Sequence, residues 1–187
     1  MPKANTASAS DLSELEGGVL GIVHTSPDST AHVIREMFRH SRSSHWSGSA
    51  GAIYPLMKKL EGRGLLAVKE APRGRQVRRT YTITADGLRE LRRWIGPPVD
   101  DWMASVTFDP IRTRMPFLQA LSPAKQLAFL EDAERKLEAE VAELKKEHRK
   151  LHDEGDFWER MSADGCLSTN QARLRWVKKT LEAARAR

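Results

Sequence analysis

Apolar residues at Leu12, Leu15, Val19, Leu20 and Val23 recur three and four apart, and this spacing predicts a helix from 12 to about 24. The Gly17–Gly18 pair falls inside it, and each glycine in a helix interior costs about 1 kcal/mol, so the pair calls for a packing reason. TSPDST then breaks the chain, and Ser29 or Thr30 is placed to cap a second helix reaching about His40, with Val33, Ile34, Met37 and Phe38 as its buried stripe. HSRSSHWSGS reads as a loop in which Ser47 or Ser49 supplies the next N-cap. The third helix, about 50–62, buries Ile53, Leu56, Met57 and Leu60 and turns Tyr54, Lys58 and Lys59 towards the other face. Pro55 requires either a late helix start, with the proline in the first turn, or a kink.

GRG at 62–64 offers a left-handed cap. Beyond it Leu65–Glu70 and Arg78–Thr84 read as strands, the second alternating Tyr81 and Ile83 with polar residues, and APRGRQ supplies the turn. Thr84 caps a fourth helix with the stripe Leu88, Leu91 and Ile95, which GPP at 96–98 stops. Helix–helix–helix–strand–strand–helix is the order of a winged helix-turn-helix. After Ser122–Pro123 the period changes. Leu130, Leu137, Leu144 and Leu151 repeat every seven residues, with Leu127 and Val141 at the second seam position beside Glu134 and His148. Such a seam suits a two-stranded coiled coil between subunits. LSTNQARLRWVKKTLEAARAR offers a second amphipathic helix, so a hairpin within one chain competes with that pairing, and both hold together if a hairpin in each subunit packs across a dimer.

The expected fold is therefore mainly α: a winged helix-turn-helix at 12–98, a linker at 99–121 and a helical, coiled-coil-like dimerisation domain at 122–187. The small polar residues 1–11 read as a disordered tail. Without the apolar centre of a secretory signal, they point to a cytoplasmic protein. No apolar run approaches the roughly 18 residues of a membrane span. Cys166 is the only cysteine, which leaves no intrachain disulfide and no cysteine-rich zinc site.

Charge sharpens the picture by its placement. Residues 1–98 carry 15 Lys+Arg against 9 Asp+Glu, whereas residues 99–187 carry 16 of each. The whole excess lies with the wing, where Arg73, Arg75, Arg78 and Arg79 fall within seven residues and no acid stands among them. A groove-sized helix beside a basic hairpin is the equipment for gripping duplex DNA, the arginines meeting phosphates and the helix reaching base edges. Chemistry of other kinds finds little support. His148 and His152 share a helix face, but HRKLH lacks the glutamate of a zinc-peptidase motif, and GRGLL and PRGRQ lack the ending of a phosphate-binding loop. There is no nucleophile elbow and no kinase-like set, so neither an enzyme activity nor a cofactor or metal is expected. Trp94, Trp102, Trp158 and Trp176 are core anchors or the walls of a planar-ligand pocket.

The stretch from Ser49 through Tyr54-Pro55, Leu60 and Gly64 to Leu65, the wing RGRQVRR, and Tyr81-Thr-Ile-Thr84-Ala-Asp-Gly87-Leu resemble the PadR family of bacterial transcriptional regulators. The match spans about 12–95. Phe108-Asp-Pro, the heptad helix and Arg175-Trp176-Val177 are similar to the helical region of the family's longer, virulence-activator-like members. Ala31–His32 departs from the glycine–tyrosine pair that many members carry in the second helix. The resemblance implies a homodimer, a repressor or less often an activator, that binds palindromic double-stranded operator DNA and is released in some relatives by a planar small-molecule effector. On this reading Ser49, Tyr54, Lys58, Lys59, Arg73, Arg75, Arg78 and Arg79 serve DNA binding. Leu127, Leu130, Leu137, Val141, Leu144 and Leu151 serve dimerisation. Two competing readings are a coiled-coil interaction protein whose basic hairpin binds an acidic partner, and an RNA-binding winged helix. Against the second, the 47–61 helix has few exposed aromatics for stacking single-stranded bases.

Overall fold

The computed structural model describes residues 11–73 and 76–187. The expected tail, apart from Asp11, lies outside them, and so does Arg75. The chain divides into two compact units, Met1–Ser105 and Val106–Arg187.

In the first unit α1 (Glu14–Thr25) opens on a reciprocal capping box: Ser13 Oγ accepts from the Glu16 amide, and the Glu16 carboxylate accepts from the Ser13 amide. The glycine pair in α1 has its packing reason. A Cβ at Gly17 would stand 2.3 Å from the Trp94 ring, and one at Gly18 would stand 2.7 Å from Trp46. Thr30 caps α2 (Ala31–Arg39). Of the predicted stripe, Ile34 and Phe38 are buried, whereas Val33 and Met37 are 46% exposed; Ala31, one turn before Ile34, takes the third buried place.

The segment expected as a loop instead forms α3 (Ser44–Ser49), which a single 3₁₀ turn, Ala50–Ala52, joins to α4 (Ile53–Gly62). Pro55 is thus the third residue of α4. Its missing N–H is one that no helix satisfies internally, so no kink is needed. Ser49 does not act as a cap; its hydroxyl donates back to the His45 carbonyl at 2.7 Å. At the other end of α4, Gly64 adopts φ +72°. There the Leu65 amide bonds the Leu60 carbonyl and the Gly64 amide bonds that of Glu61, the paired closure that glycine permits.

β1 (Leu66–Arg73) and β2 (Gln76–Ile83) pair antiparallel with Glu70 opposite Arg79 and Pro72 opposite Val77. Both strands run further towards the tip than the sequence suggests, since Pro72 is tolerated at this edge. Reciprocal bonds between Tyr81 and the Asp28–Ser29 backbone tie β2 to the start of α2. Thr84 caps α5 (Ala85–Ile95) and donates to the Gly64 carbonyl at 2.7 Å. α5 buries Leu91 and packs Trp94, with Leu88, onto the core, while Ile95 is 65% exposed. The core of this unit is Val19, Leu20 and Val23 of α1 against Ile34, Ile53, Met57 and Leu60, all essentially solvent-free. A short turn of helix, α6 (Asp101–Ala104), ends the unit.

In the second unit, α7 (Pro110–Arg114) is capped by Asp109 and followed by a 3₁₀ stretch, Met115–Ala120. The two long helices are α8 (Pro123–Glu154) and α9 (Phe157–Arg185). They run antiparallel around Gly155–Asp156, with ion pairs Glu131–Arg185 (2.8 Å) and Glu138–Lys178 (2.6 Å) and a His148–Asp164 hydrogen bond (2.5 Å) along their length. Leu130, Leu137, Val141 and Leu144 are buried within the single chain, and Val177 and Leu181 of α9 are buried with them. Leu127 and Leu151 are partly buried at the ends of that stripe. Arg173 of α9 grips Asp109 with two bonds of 2.8 and 3.0 Å, which fastens α7 to the hairpin.

Candidate nucleic-acid interface

The exposed face of α4 takes its shape from what the helix buries. Ile53, Met57 and Leu60 face the core, so Tyr54 and Lys58, one turn apart, must face outwards. Tyr54 is 50% exposed. With them, Ala31 and His32 from the first turn of α2 and Val77, Arg78 and Arg79 from β2 wall a concavity of about 600 Å³. Thr30, Ala31 and His32 put the N-terminal end of α2, the positive end of its dipole, beside this space. Lys58 and Arg78 add full charges, and neither forms an ion pair with another described residue.

Two more of the predicted cations, Lys59 and Arg79, are engaged. Lys59 lies on the flank of α4 that meets α1, and its Nζ is 3.0 Å from Glu16 Oε1; Arg63 Nη1 reaches the same oxygen at 3.0 Å. Burial alone would raise the Glu16 carboxyl above its ordinary 4.5. The Ser13 amide and hydroxyl together with Lys59 outweigh it and hold the group below that value. Arg79 Nη2 bonds Glu61 at 2.8 Å and Nε bonds Glu70 at 3.0 Å, with Nη1 3.5 Å from the Tyr81 hydroxyl.

The structure thus brings Tyr54, Lys58, Arg78 and Arg79 to one groove and sets Lys59 and Ser49 into internal contacts. Arg73 is the last residue of β1, at the tip end of the hairpin, and Arg75 lies outside the described residues. Sequence reasoning missed Glu16, Glu61 and Glu70. Ser13-x-x-Glu16 is a legible capping signature, and Glu70 and Arg79 both lie within the strands expected from the sequence, where only the pairing register sets them opposite.

The four tryptophans have different settings within their units. Trp94 lies on Gly17 and its Nε1 donates to Glu14 at 3.3 Å, and Trp176 packs beside Leu137 and Val177. Trp102 and Trp158 are 57% and 74% exposed.

A hairpin paired to the helix–helix connection, with one helix presented beside it, makes the first unit a winged helix-turn-helix. Residues 19–93 match the family model described as Transcriptional regulator PadR-like family. The chain is 24% identical over 140 residues to the negative transcriptional regulator PadR of Bacillus subtilis, covering 73% of this chain and 74% of that one. The fold is shared more widely. The structure of Bacillus subtilis PadR in complex with operator DNA superposes with a TM-score of 0.77 at 21% identity, over 91% of this chain and 98% of that one. The same protein in complex with p-coumaric acid gives 0.70 at 20% identity, over 91% and 94%. Among the described residues no helix is long and apolar enough to cross a membrane.

Proposed function

We propose that this protein is a homodimeric repressor that reads operator DNA with α4 in the major groove and the β1–β2 wing against the neighbouring backbone. The observation that carries the reading is the groove where Tyr54 and Lys58, Arg78 and the first turn of α2 meet, with Lys58 and Arg78 unpaired among the described residues. Lys58 and Tyr54 serve base edges or nearby phosphates. Arg78 and the arginines of the wing tip, Arg73 and Arg75, serve phosphates, which position the protein without specifying sequence. A homodimer places two such grooves on half-sites about 34–36 Å apart, or a multiple of that. Release of DNA by a planar small molecule completes the proposal, supported by the Bacillus subtilis relative solved with p-coumaric acid.

The deciding experiment is fluorescence anisotropy on duplex from upstream of the protein's own gene, titrated against scrambled duplex at two salt concentrations. A preference of about a thousandfold is expected of a specific regulator. Equal and steeply salt-dependent binding to both duplexes would put forward the competing reading, a basic hairpin that binds an acidic partner. Adding p-coumaric acid to the operator complex tests the effector arm: a fall in anisotropy is expected, and an unchanged signal at millimolar acid would remove phenolic acids from the proposal.

A further inference from the structure

We infer that Arg79 is a positioning residue, a strut that sets the pitch of the wing against α4, rather than a phosphate contact. The inference rests on the DNA-reading function proposed above and assigns one residue of that groove a different task. The Arg79 guanidinium joins three elements at once: Nη2 to Glu61 in the last turn of α4 (2.8 Å), Nε to Glu70 on β1 (3.0 Å), and Nη1 to the hydroxyl of Tyr81 on its own strand (3.5 Å). Its Cζ lies 5.8 Å from the centre of the Tyr81 ring. Tyr81 is itself buried and bonded through its backbone to Ser29, so the strut ends on a fixed base.

Charge points the same way. One arginine between two glutamates leaves the junction with a net negative charge, which repels a phosphate instead of attracting one. Only a planar fork of donors meets three partners in different directions, and the single ammonium of lysine does not reproduce that fork. A wing held at a fixed pitch meets the backbone at a fixed distance along the duplex from the bases read by α4. A loose wing still binds phosphates but loses that register.

Two conservative variants of the full-length protein separate strut from phosphate contact, because the readings predict opposite signs. Glu61→Gln removes an anion from the DNA-facing side; electrostatics alone tightens its binding to every duplex, whereas loss of the strut weakens operator binding. Arg79→Lys keeps the charge, so a phosphate contact survives it and the strut does not. We expect both variants to bind operator about fivefold more weakly, the scale of one partly exposed ion pair, with salt slope and scrambled-duplex affinity unchanged in the charge-conserving Arg79→Lys. A DNA-free arm accompanies this: ¹⁵N relaxation of β1 and β2 amides, where both variants are expected to show lowered order parameters. Operator affinity kept by Arg79→Lys, gained by Glu61→Gln, and wing amides as rigid as in wild type would overturn the strut. If wild-type protein fails to prefer operator, the regulator reading fails alone, and the relaxation arm still decides the strut.

Discussion

Glu16 shows how one side chain carries both local and tertiary structure. Its carboxylate closes the capping box of α1 and accepts Lys59 and Arg63 from the far end of α4, while itself only 4% exposed. Replacing it with glutamine is expected to cost about 1–2 kcal/mol, a modest figure because the two cations left behind reach solvent. The folded state binds the Glu16 proton more weakly than the unfolded chain does. Its stabilisation is therefore complete above the ordinary carboxyl value of 4.5 and is lost as pH falls through the lower folded value. Urea midpoints of wild type and Glu16→Gln should converge between pH 7 and pH 3; a gap that stays constant would show that the charge contributes nothing. Lys58 and Lys59, adjacent in sequence, should likewise part company. Lys58→Ala is expected to blunt discrimination between operator and scrambled duplex with the fold unaffected, and Lys59→Ala to lower the urea midpoint. Equal behaviour of the two in both assays would count against the division of the helix into a reading flank and an anchoring flank. The capping box was legible in Ser13-x-x-Glu16. Its second task was not, because nothing in a local window says that α1 lies beside α4.

At the scale of elements, glycines separate tight contacts from open ones. A Cβ at Gly87 would stand 2.1 Å from the Leu65 carbonyl oxygen, backbone that cannot yield without moving β1 against α5. Gly87→Ala is expected to cost about 3 kcal/mol. Gly165, inside α9, meets nothing within 4 Å, and Gly165→Ala is expected to gain up to about 1 kcal/mol. Denaturant midpoints moving in opposite directions for the two variants check this; a neutral Gly87→Ala would mean that the α5–β1 approach is looser than described. Periodicity located α1, α2, α4 and α5 but not α3, whose SHWSGS has composition typical of a loop and forms a helix around the contact of Trp46 with Gly18 and Phe38. It also drew the buried stripes too wide. Val33, Met37 and Ile95 lie at the edges of their helical arcs, where a period of 3.6 gives the centre of a face but not how far the neighbouring element reaches. The closure of α4 at Gly64 was readable because only a residue at ease with positive φ fits that place.

For the molecule as a whole, the heptad series of α8 is filled by α9 of the same chain, with Leu137 beside Val177. The seven-residue repeat itself could not distinguish that from a partner subunit, since a seam looks the same from either source. Leu137→Ala is accordingly expected to cost about 3 kcal/mol in the helical unit without altering stoichiometry in sedimentation equilibrium. A shift towards monomer would show that the seam is shared between chains. Asp109 and Arg173 are 64 residues apart and gave no periodic signal, yet they fasten α7 to the hairpin. In the winged half, α4 is tied down through Lys59 and Arg63 on one side and through Glu61 on the other, and none of those residues is Tyr54 or Lys58. If α4 reads DNA as proposed, mutational drift at positions 54 and 58 rewrites the preferred site without loosening the scaffold, and descendants of such a protein are then free to acquire new target genes one substitution at a time while the domain that holds the helix stays as it is.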